Sequence, residues 1–403
     1  MSFLIAWRNV FRNRRRTAFS LAVVVVGTAV FLFVLAYIGE ALQSARVTAA
    51  CETGAVQVAD ATLFAGETKS YDYLIVPEMQ ARVLNIVARM PGVLGTGLEL
   101  DFAGLIGDAN GSSLIIGRGL TPCDCIEGGG CYAIQGKTLS EVGPRDVILG
   151  KKLATKLDVG IGDIINVATG TASGNFNAAS ATVAGELRYS LQTIEEELGL
   201  FPLAFSQRLL KTDGVARILI GLQDLGQAPQ FASALTAALA ADGIPLVVRT
   251  WEDLSSGYGS LKTFYTAFSG LAGVAVFVLV FLSVVEILTI SFLERTREVG
   301  TARALGATRR RVFEGFLLEG SLIGVLGATI GAALGSGAIL LFNAIGFAWT
   351  PPGAATPQAI RLELALATVL LPLVTVILAT LASSIYPAWK NARQEVVRAL
   401  QSP

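Results

Sequence analysis

Four long apolar runs divide this 403-residue chain and limit what it can fold into. They cover residues 17–38, 263–292, 312–345 and 362–389. About 20 apolar residues cross a hydrocarbon core of about 30 Å, so each run is long enough for a transmembrane helix. Hydrophobic residues make up 53% of the chain and charged residues only 15%, which is too apolar for an ordinary soluble protein. The sequence therefore predicts an α-helical membrane protein with four transmembrane helices.

Basic residues next to the apolar runs predict how the chain is oriented. Arginine and lysine cluster in residues 1–16, 293–311 and 390–403. Because cytoplasmic flanks carry an excess of these residues, we expect all three segments, and both termini, in the cytoplasm. Residues 39–262 and 346–361 are then extracytoplasmic. The first basic segment has apolar residues at helical spacing and predicts an amphipathic helix at the membrane surface, with a disordered basic tail as the alternative.

The long segment between the first two runs predicts a folded domain of its own, because about 220 residues are enough for a separate hydrophobic core. Its apolar periodicity switches between two residues and 3.6 residues, which indicates a mixed α/β domain. We expect strands at residues 55–59, 146–149, 163–167, 215–222 and 246–248, helices at residues 76–90, 150–157 and 228–241, and Gly- and Ser-rich turns at residues 170–181.

The basic segment between the second and third runs predicts a helix, a sharp break and a new helix. Residues 294–305 are good helix formers, and Val299, Ala302 and Leu305 can share one face. Gly306 suits the left-handed residue that ends a helix, and Thr308 can cap the next one. The alternative is a solvated basic loop that only fixes topology.

This segment resembles the cytoplasmic coupling helix of ABC permeases of the MacB/LolE/FtsX superfamily. The resemblance rests on Glu294, Arg295, Arg297, Glu298, Gly300, Arg303, Ala304, Leu305, Gly306 and Ala307. It extends to the extracytoplasmic domain, in which a mostly-β subdomain would be inserted at about residues 111–212, and to the C-terminal tail. It implies that residues 293–311 dock on an ATPase. The chain shows no GxxxxGK[ST] motif, so we expect no nucleotide-binding domain fused to it.

The resemblance also implies a function. It predicts the permease subunit of an ABC transporter in the bacterial inner membrane, closest in layout to lipoprotein-releasing permeases. Such a subunit has no catalytic activity. It couples ATP hydrolysis by a separate ATPase to movement of its periplasmic domain, by mechanotransmission, for lipoprotein release or export of another amphiphile. The alternatives are an FtsX-like regulator of cell-wall hydrolases, a small-molecule or peptide efflux permease, and a transmembrane signalling receptor.

The same resemblance implies the partners. We expect two copies of an ABC ATPase, a second permease that is identical or related, the lipid bilayer and, as a further candidate, a periplasmic or outer-membrane protein. ATP and Mg²⁺ would be bound by the ATPase, so no cofactor is expected in this chain. The formal net charge is zero, which implies no nucleic-acid partner.

Four cysteines lie in the predicted extracytoplasmic domain, at positions Cys51, Cys123, Cys125 and Cys131. An even number in an oxidising compartment favours disulfides. A bridge between Cys123 and Cys125 would be strained, so we expect each of them to pair with one of the other two cysteines. A soft-metal site is the alternative.

Two further features lie within the apolar runs. Glu286 is a carboxylate in the second run, where it is either a polar contact inside the bundle or a side chain that reaches the interface or pairs with an arginine. The third run repeats glycine at four-residue spacing, which either permits close helix packing or reflects glycine scattered without such a role. These glycines are Gly320, Gly324, Gly327, Gly331 and Gly335.

The sequence shows no catalytic constellation. The chain contains no histidine, which removes the commonest general base and metal ligand. The acidic run Glu195–Glu197 predicts a solvated helix start. We therefore predict no catalytic residue and no metal site.

Overall fold

We describe the protein from a computed structural model, which covers residues 14–66, 70–108, 111–122, 133–189, 192–349 and 358–393. The chain divides into two compact units. The helical unit comprises Met1–Gln43, Leu261–Phe347 and Ala359–Pro403, and the sheet unit comprises Ser44–Ser260 and Ala348–Gln358. The predicted amphipathic helix falls mostly on residues 1–13, outside the described residues.

The secondary structure alternates short elements with four long helices. In chain order the elements are α1 (Arg14–Thr53), β1 (Val56–Ala59), α2 (Ala61–Ala65), α3 (Pro77–Val87), β2 (Val93–Gly107), β3 (Ser112–Leu120), β4 (Ala133–Gly136), β5 (Asp146–Gly150), α4 (Lys151–Leu157), β6 (Ile164–Gly170), β7 (Phe176–Arg188), α5 (Gln192–Glu195), β8 (Leu198–Pro202), α6 (Leu203–Leu210), β9 (Arg217–Leu222), α7 (Ala228–Ala241), β10 (Val247–Thr250), α8 (Trp251–Leu254), α9 (Ser256–Ala304), α10 (Arg309–Ile345), β11 (Ala348–Trp349), β12 (Gln358–Ala359) and α11 (Leu366–Ala392).

Four of the described helices are long and apolar enough to cross a membrane. The candidate spans are Thr17–Ala50, Gly257–Ile290, Arg309–Ile345 and Leu366–Lys390. This confirms the predicted fold class, four membrane helices with a mixed α/β domain between the first and second.

The boundaries differ from the prediction at the ends of the apolar runs. Helix α1 continues past residue 38 to Thr53, and α9 runs without a break from Ser256 to Ala304. Residues 263–292 and the first part of 293–311 therefore form one helix, and the prediction of a separate short helix is wrong. Hydropathy locates only the lipid-facing part of a helix, whereas good helix formers without proline extend it beyond that part.

The core of the helical unit draws on all four long helices. Val24, Val280, Ile323 and Val376, one from each helix, form part of one buried cluster. Their side chains are at most 4% exposed. Burial of such side chains and close approach of the helices hold this unit together.

The sheet unit is built on one ten-stranded sheet. Its strand order is β10-β1-β9-β2-β3-β8-β5-β7-β4, and β6 pairs with β2 and β7. The pairs β3–β8 and β5–β7 are parallel, and the other pairs are antiparallel. Strand β3 lies in the predicted insertion, residues 111–212, and pairs with β2 outside it over nine residues. The insertion is therefore hydrogen-bonded into the same sheet as the rest of the unit.

One face of the central strands is buried by aromatic packing. Phe102 of β2 contacts Phe201 of β8 with ring centroids 5.3 Å apart, and Phe201 stacks on Phe205 of α6 at 5.1 Å. Ile115 and Ile165 point to the same side and are fully buried. The hydrophobic core of this part of the sheet lies under α6.

The predicted elements of the sheet unit differ from the structure most at residues 170–181. Strand β6 ends at Gly170 and β7 begins at Phe176, so these residues form the end of a hairpin, and the prediction of turns throughout is wrong. Small alanine and serine side chains hid the two-residue alternation of β7. Helix α7 has the predicted bounds, Ala228–Ala241.

Candidate functional site

The break between α9 and α10 is a compact turn, which we call the 306 turn (Arg303–Thr308). The amide of Gly306 donates to the Arg303 carbonyl at 3.1 Å, and the amide of Ala307 donates to the Ala302 carbonyl at 3.0 Å. These two bonds are the Schellman pattern that ends a helix. Gly306 has φ +98°, which a residue with a Cβ rarely adopts, so the predicted left-handed glycine is confirmed.

The next helix begins immediately after this turn. The Thr308 side chain accepts a hydrogen bond from the Arg311 amide at 3.4 Å, which confirms Thr308 as the cap of α10. With one side closed by the Schellman bonds and the other by this cap, the 306 turn has a defined backbone. The two helices are therefore joined by a hydrogen-bonded backbone turn.

The last three turns of α9 have a buried side that anchors the turn. Thr296 is 5% exposed and donates from its hydroxyl to the Leu293 carbonyl at 3.2 Å. Gly300 is buried, and Val299 packs against the cluster formed by Phe316 of α10 and Ala388 of α11. Three helices therefore hold the base of this segment.

The opposite side of the same segment is exposed. Leu305 is 85% exposed, the highest value among the exposed large hydrophobic residues of the described chain. Ala302 is also exposed, whereas Val299 is half-buried, so the face predicted for Val299, Ala302 and Leu305 is mostly exposed. Because Leu305 directly precedes the left-handed glycine, the turn lifts its side chain off the helix surface.

The structure places the residues of the predicted site around this corner. Exposed residues are Glu294, Arg297, Glu298, Ala304, Leu305 and Gly306. Arg303 and Ala307 are half-buried, Gly300 is buried, and the side chain of Arg295 lies outside the described residues. The site is thus an exposed, charged rim around Leu305.

Basic charge continues on the far side of the turn. Arg309, Arg310 and Arg311 are exposed, and Arg310 forms an ion pair with Glu314 at 2.8 Å between Nε and Oε1. Both partners of this pair face solvent, so it adds little to stability. The corner therefore presents an apolar tip beside a cluster of cations, which suits docking on a protein surface with a groove and acidic groups.

The glycines of α10 lie against two different helices. A Cβ on Gly320 or Gly324 would come within 2 Å of the hydroxyl oxygen of Ser384 or Thr380, both on α11. A Cβ on Gly327, Gly331 or Gly335 would meet Val24, the Val25 backbone or Ala29 of α1. The two parts of the glycine row therefore allow close approach to α11 and to α1.

Glu286 and the cysteines complete the predicted sites. Glu286 is exposed on the outer side of α9, so the structure does not show the polar contact inside the bundle of this chain. Cys123, Cys125, Cys131 and the side chain of Cys51 lie outside the described residues. The disulfides and the metal alternative stay predictions.

The sheet unit holds a buried ionic cluster that sequence reasoning missed. Glu99 is fully buried, and Arg118 lies 2.7 Å from its Oε1 and 3.9 Å from Asp101. Arg217 lies 2.6 Å from Asp101 Oδ2. Burial, followed by the neighbouring Asp101 carboxylate, raises the pKa of Glu99 to about 7. No single strand of the sequence shows this cluster, because its members come from β2, β3 and β9.

Comparison with known proteins identifies the helical part of the chain. The sequence pattern of the FtsX-like permease C-terminal family matches residues 270–396. Residues 270–396 thus resemble an FtsX-like permease domain. This match includes α10, α11, most of α9 and the 306 turn, and it confirms the predicted resemblance to the MacB/LolE/FtsX superfamily.

Individual relatives agree with this assignment. The chain is 24% identical over 275 residues to the lipoprotein-releasing system transmembrane protein LolC of Xylella fastidiosa, covering 64% of this chain and 65% of the relative. It is 33% identical over 99 residues to the uncharacterized ABC transporter permease YknZ of Bacillus subtilis, covering 24% of this chain and 25% of the relative. The chain thus spans between a quarter and two thirds of these curated relatives.

A solved structure is also similar to part of the chain. The extracellular domain of YknZ from Gram-positive bacteria has a TM-score of 0.33 and 16% identity to this chain. The similarity covers 44% of this chain and 90% of that domain.

Two features of the site were not found from the sequence. Thr296 was not singled out, and Gly300 was named for the resemblance but not as part of a buried base, because threonine and glycine carry no hydropathy signal. The available signal was the four-residue spacing of Thr296 and Gly300 on a helix that also carries Val299, because residues four apart lie on the same side of a helix. The 85% exposure of Leu305 was not predictable, because the pattern alone placed it with the apolar side.

Proposed function

We propose that this chain is the permease subunit of an ABC transporter and that the 306 turn is where a separate ATPase subunit docks. The observation that carries this proposal is the exposed Leu305 on a backbone corner closed by hydrogen bonds on both sides. An apolar side chain left in water at the tip of a rigid, charged corner is typical of a docking anchor. The match to FtsX-like permeases supports the same function.

The length of α9 suggests how ATP hydrolysis does work. This helix is continuous over 49 residues, which is roughly 70 Å at 1.5 Å per residue. Movement of the 306 turn would displace the whole helix, because no break absorbs the motion. We propose mechanotransmission along α9, with two ATPase copies acting on a pair of identical or related permeases. ATP and Mg²⁺ belong to the ATPase subunits in this scheme.

The orientation is part of the proposal. A cytoplasmic location of these helix ends is supported by the excess of basic residues there, with Arg309–Arg311 at the turn and Lys390 and Arg393 at the end of α11. Trp389 and Tyr386 support an interface there, since each ring lies beneath a cation, at 4.3 Å from Arg393 and 6.0 Å from Lys390. The sheet unit is then extracytoplasmic.

For the substrate we propose a lipoprotein or another amphiphile, handled on the extracytoplasmic side of the inner membrane. The similarity to LolC, which is described as part of a lipoprotein-releasing system, supports this choice over the other functions considered. An amphiphile held at the membrane surface needs no continuous channel through the helices.

The docking anchor is tested by Leu305→Ser in the full chain, reconstituted with the ABC ATPase of its transporter. Loss of a buried leucine side chain from an interface costs about 2 kcal/mol, so we expect roughly thirty-fold weaker ATPase association and lower ATP hydrolysis. Pull-down and phosphate release measure the two effects. Folding should be unaffected, because Leu305 has almost no contact to lose.

The chain offers a matched control at the other end of α10. Ile345 is 71% exposed and directly precedes Gly346, which is also left-handed with φ +68°. Ile345→Ser should leave ATPase association unchanged, because the proposal places it on the opposite side of the membrane. Equal binding by both variants and the parent would show that the 306 turn is not the docking site.

A further inference from the structure

The end of α11, with Arg393 directly after it, carries two exposed aromatic rings and two exposed cations. We call this group the 389 patch (Tyr386, Trp389, Lys390 and Arg393). Trp389 is 48% exposed and Tyr386 56%, and both cations are exposed as well. The guanidinium carbon of Arg393 lies 4.3 Å from the centre of the Trp389 ring, and the Lys390 ammonium lies 6.0 Å from that of Tyr386. The patch is therefore positive charge held on an aromatic base.

The two cations of the 389 patch have no acidic partner in the part of the chain that the structure describes. Neither forms an ion pair there, whereas Arg310 at the start of α10 pairs with Glu314 at 2.8 Å. Helix α11 itself, Leu366–Ala392, contains no acidic residue. The charge of the patch therefore favours an anionic ligand from outside these residues.

The position of Arg393 suits a phosphate group. A guanidinium that lies over a ring contacts it through its face, and its N–H donors point outward in the guanidinium plane. Arginine binds phosphate oxygens through two parallel hydrogen bonds from such donors. Stacking also restricts the side chain before binding, so less conformational entropy is lost when the ligand arrives. Lys390 adds a second positive charge beside this site.

The same side of α11 is apolar and exposed below the patch. Leu371, Val374, Leu378 and Ile385 are 48–55% exposed. With 3.6 residues per turn, these side chains lie within about 60° of Trp389 around the helix axis. We call this row the apolar stripe. One side of the helix is thus apolar, then aromatic and finally basic, which is the order of hydrocarbon, interface and headgroups in a bilayer.

The apolar stripe decides between a lipid and a protein as the ligand. Ile385 and Arg393 are eight residues apart, which is about 12 Å along a helix. A soluble protein at the membrane surface reaches the cations but not the apolar side chains within the candidate span Leu366–Lys390. A phospholipid reaches both, because its acyl chains lie along the helix and its phosphate lies at the helix end.

We propose that the 389 patch binds the headgroup of an anionic phospholipid whose acyl chains cover the apolar stripe. In this arrangement Arg393 binds the phosphate, Lys390 attracts the negative charge, and the two rings lie at the level of the glycerol. The inference goes beyond the proposed function, because it depends on α11 crossing a membrane and not on an ATPase or on the transported substrate.

Photolabelling of the full chain in nanodiscs of phosphatidylcholine tests this inference. The probe is phosphatidylglycerol with a diazirine in the upper part of one acyl chain, and mass spectrometry measures the label on the end of α11. We expect unmodified phosphatidylglycerol to remove this label and inorganic phosphate to leave it. Removal by phosphate would make the patch a site for free anions, and equal labelling by a phosphatidylcholine probe would mean that the headgroup is not recognised. Either result would overturn the inference.

Charge-neutral variants locate the site. Lys390→Gln/Arg393→Gln should reduce labelling at the end of α11 about tenfold or more, because two cations that attract the headgroup are lost. Arg393→Lys keeps the charge but loses the fork of donors, so we expect about threefold less label. Lys262→Gln/Arg361→Gln is the matched control, since it removes the same charge from exposed residues at the opposite ends of α9 and α11. Equal labelling of the two double variants would contradict the proposal.

ATPase association separates a lipid site from a protein contact. The 306 turn is the docking site in the proposed function, so Lys390→Gln/Arg393→Gln should bind the ATPase as the parent does. If this variant keeps its label and loses the ATPase, the patch is a protein contact and the lipid inference is wrong. Loss of label with normal ATPase association supports the lipid site and leaves the proposed function unaffected.

Discussion

The buried hydroxyls of Thr28 and Ser384 in the helical unit bond within their own helices, whereas the buried ionic cluster of the sheet unit bonds across strands. In the helical unit, Thr28 donates to the Val24 carbonyl at 2.8 Å, and Ser384 donates to the Thr380 carbonyl at 2.6 Å, both one turn back in the same helix. In the sheet unit, Glu99 is bound by Arg118 of the next strand, and Asp101 by Arg217, 116 residues away.

This difference predicts which changes each unit tolerates. The hydrogen bond of a hydroxyl within its own helix forms however the helices pack against each other. Packing in the helical unit therefore depends on how well the side chains of neighbouring helices fit together. The ionic cluster of the sheet unit exists only when three strands are in register, so it depends on charge and on pH. Substitutions that add atoms should destabilise the helical unit most. Substitutions that change a charge should alter the stability of the sheet unit most.

The largest effect should follow from Gly331→Leu. A Cβ on Gly331 would lie 2.6 Å from the Val25 carbonyl oxygen and 2.7 Å from the Thr28 Cβ. Backbone cannot move aside as a flexible side chain can, so we expect the free energy of unfolding to fall by about 3 kcal/mol or more. The midpoint of thermal unfolding in nanodiscs measures the loss.

Gly337→Leu is the control on the same helix, because a Cβ there would meet no atom within 4 Å. Its effect should stay within about 0.5 kcal/mol. Equal destabilisation by Gly331→Leu and Gly337→Leu would mean that contact with the neighbouring helices does not set the effect of a substitution in α10. The proposed difference between the two units would then be wrong.

The sequence was sufficient for features that are local. Gly306 and Thr308 were predictable because a helix end needs a left-handed residue and a capping hydroxyl, and both conditions are met within three residues. The glycine row of α10 was visible from its spacing. The partner helices of each glycine were not, because spacing along one helix contains no information about its neighbours.

The second effect concerns Glu99 and the pH dependence of stability. The pKa of Glu99 is about 7 in the folded chain against 4.5 for an ordinary glutamate. The folded state therefore binds more protons than the unfolded state between these values, and the free energy of unfolding falls as pH rises from about 4.5 to 7. We expect Glu99→Gln to remove this fall, because glutamine does not titrate.

Thermal midpoints between pH 5 and 8 measure this slope. Glu141→Gln is the control, because hydrogen bonds from the Thr138 amide and hydroxyl lower the pKa of Glu141. Its contribution is lost only as pH falls below the range tested, so the slope should match that of the parent. A Glu99→Gln variant that keeps the full slope would show that the cluster does not respond to pH.

Interactions across strands explain what the sequence did not predict. The run Glu195–Glu197 was predicted to be a solvated helix start, and for Glu195 this is wrong, because that residue is 3% exposed. Its carboxylate reaches the start of α4, some 40 residues earlier in the chain. Two adjacent glutamates have opposite environments, and only the tertiary fold separates them.

That pair of glutamates gives the smallest effect and the most direct test of the comparison. The Glu195 carboxylate accepts hydrogen bonds from the Tyr189 amide at 3.0 Å and the Lys152 amide at 3.3 Å, one on each oxygen. Glu195→Gln turns one acceptor into a donor that faces an N–H group, which should cost about 1–2 kcal/mol. Glu196 is about half exposed and forms an ion pair with the Lys152 ammonium at 3.0 Å, so Glu196→Gln should cost less than about 0.5 kcal/mol. Thermal midpoints of the two variants at pH 7 give the difference directly.

Equal midpoints would mean that the long-range carboxylate contacts of the sheet unit contribute no more than a surface ion pair. The stability of the sheet unit would then depend on side-chain packing, as that of the helical unit does.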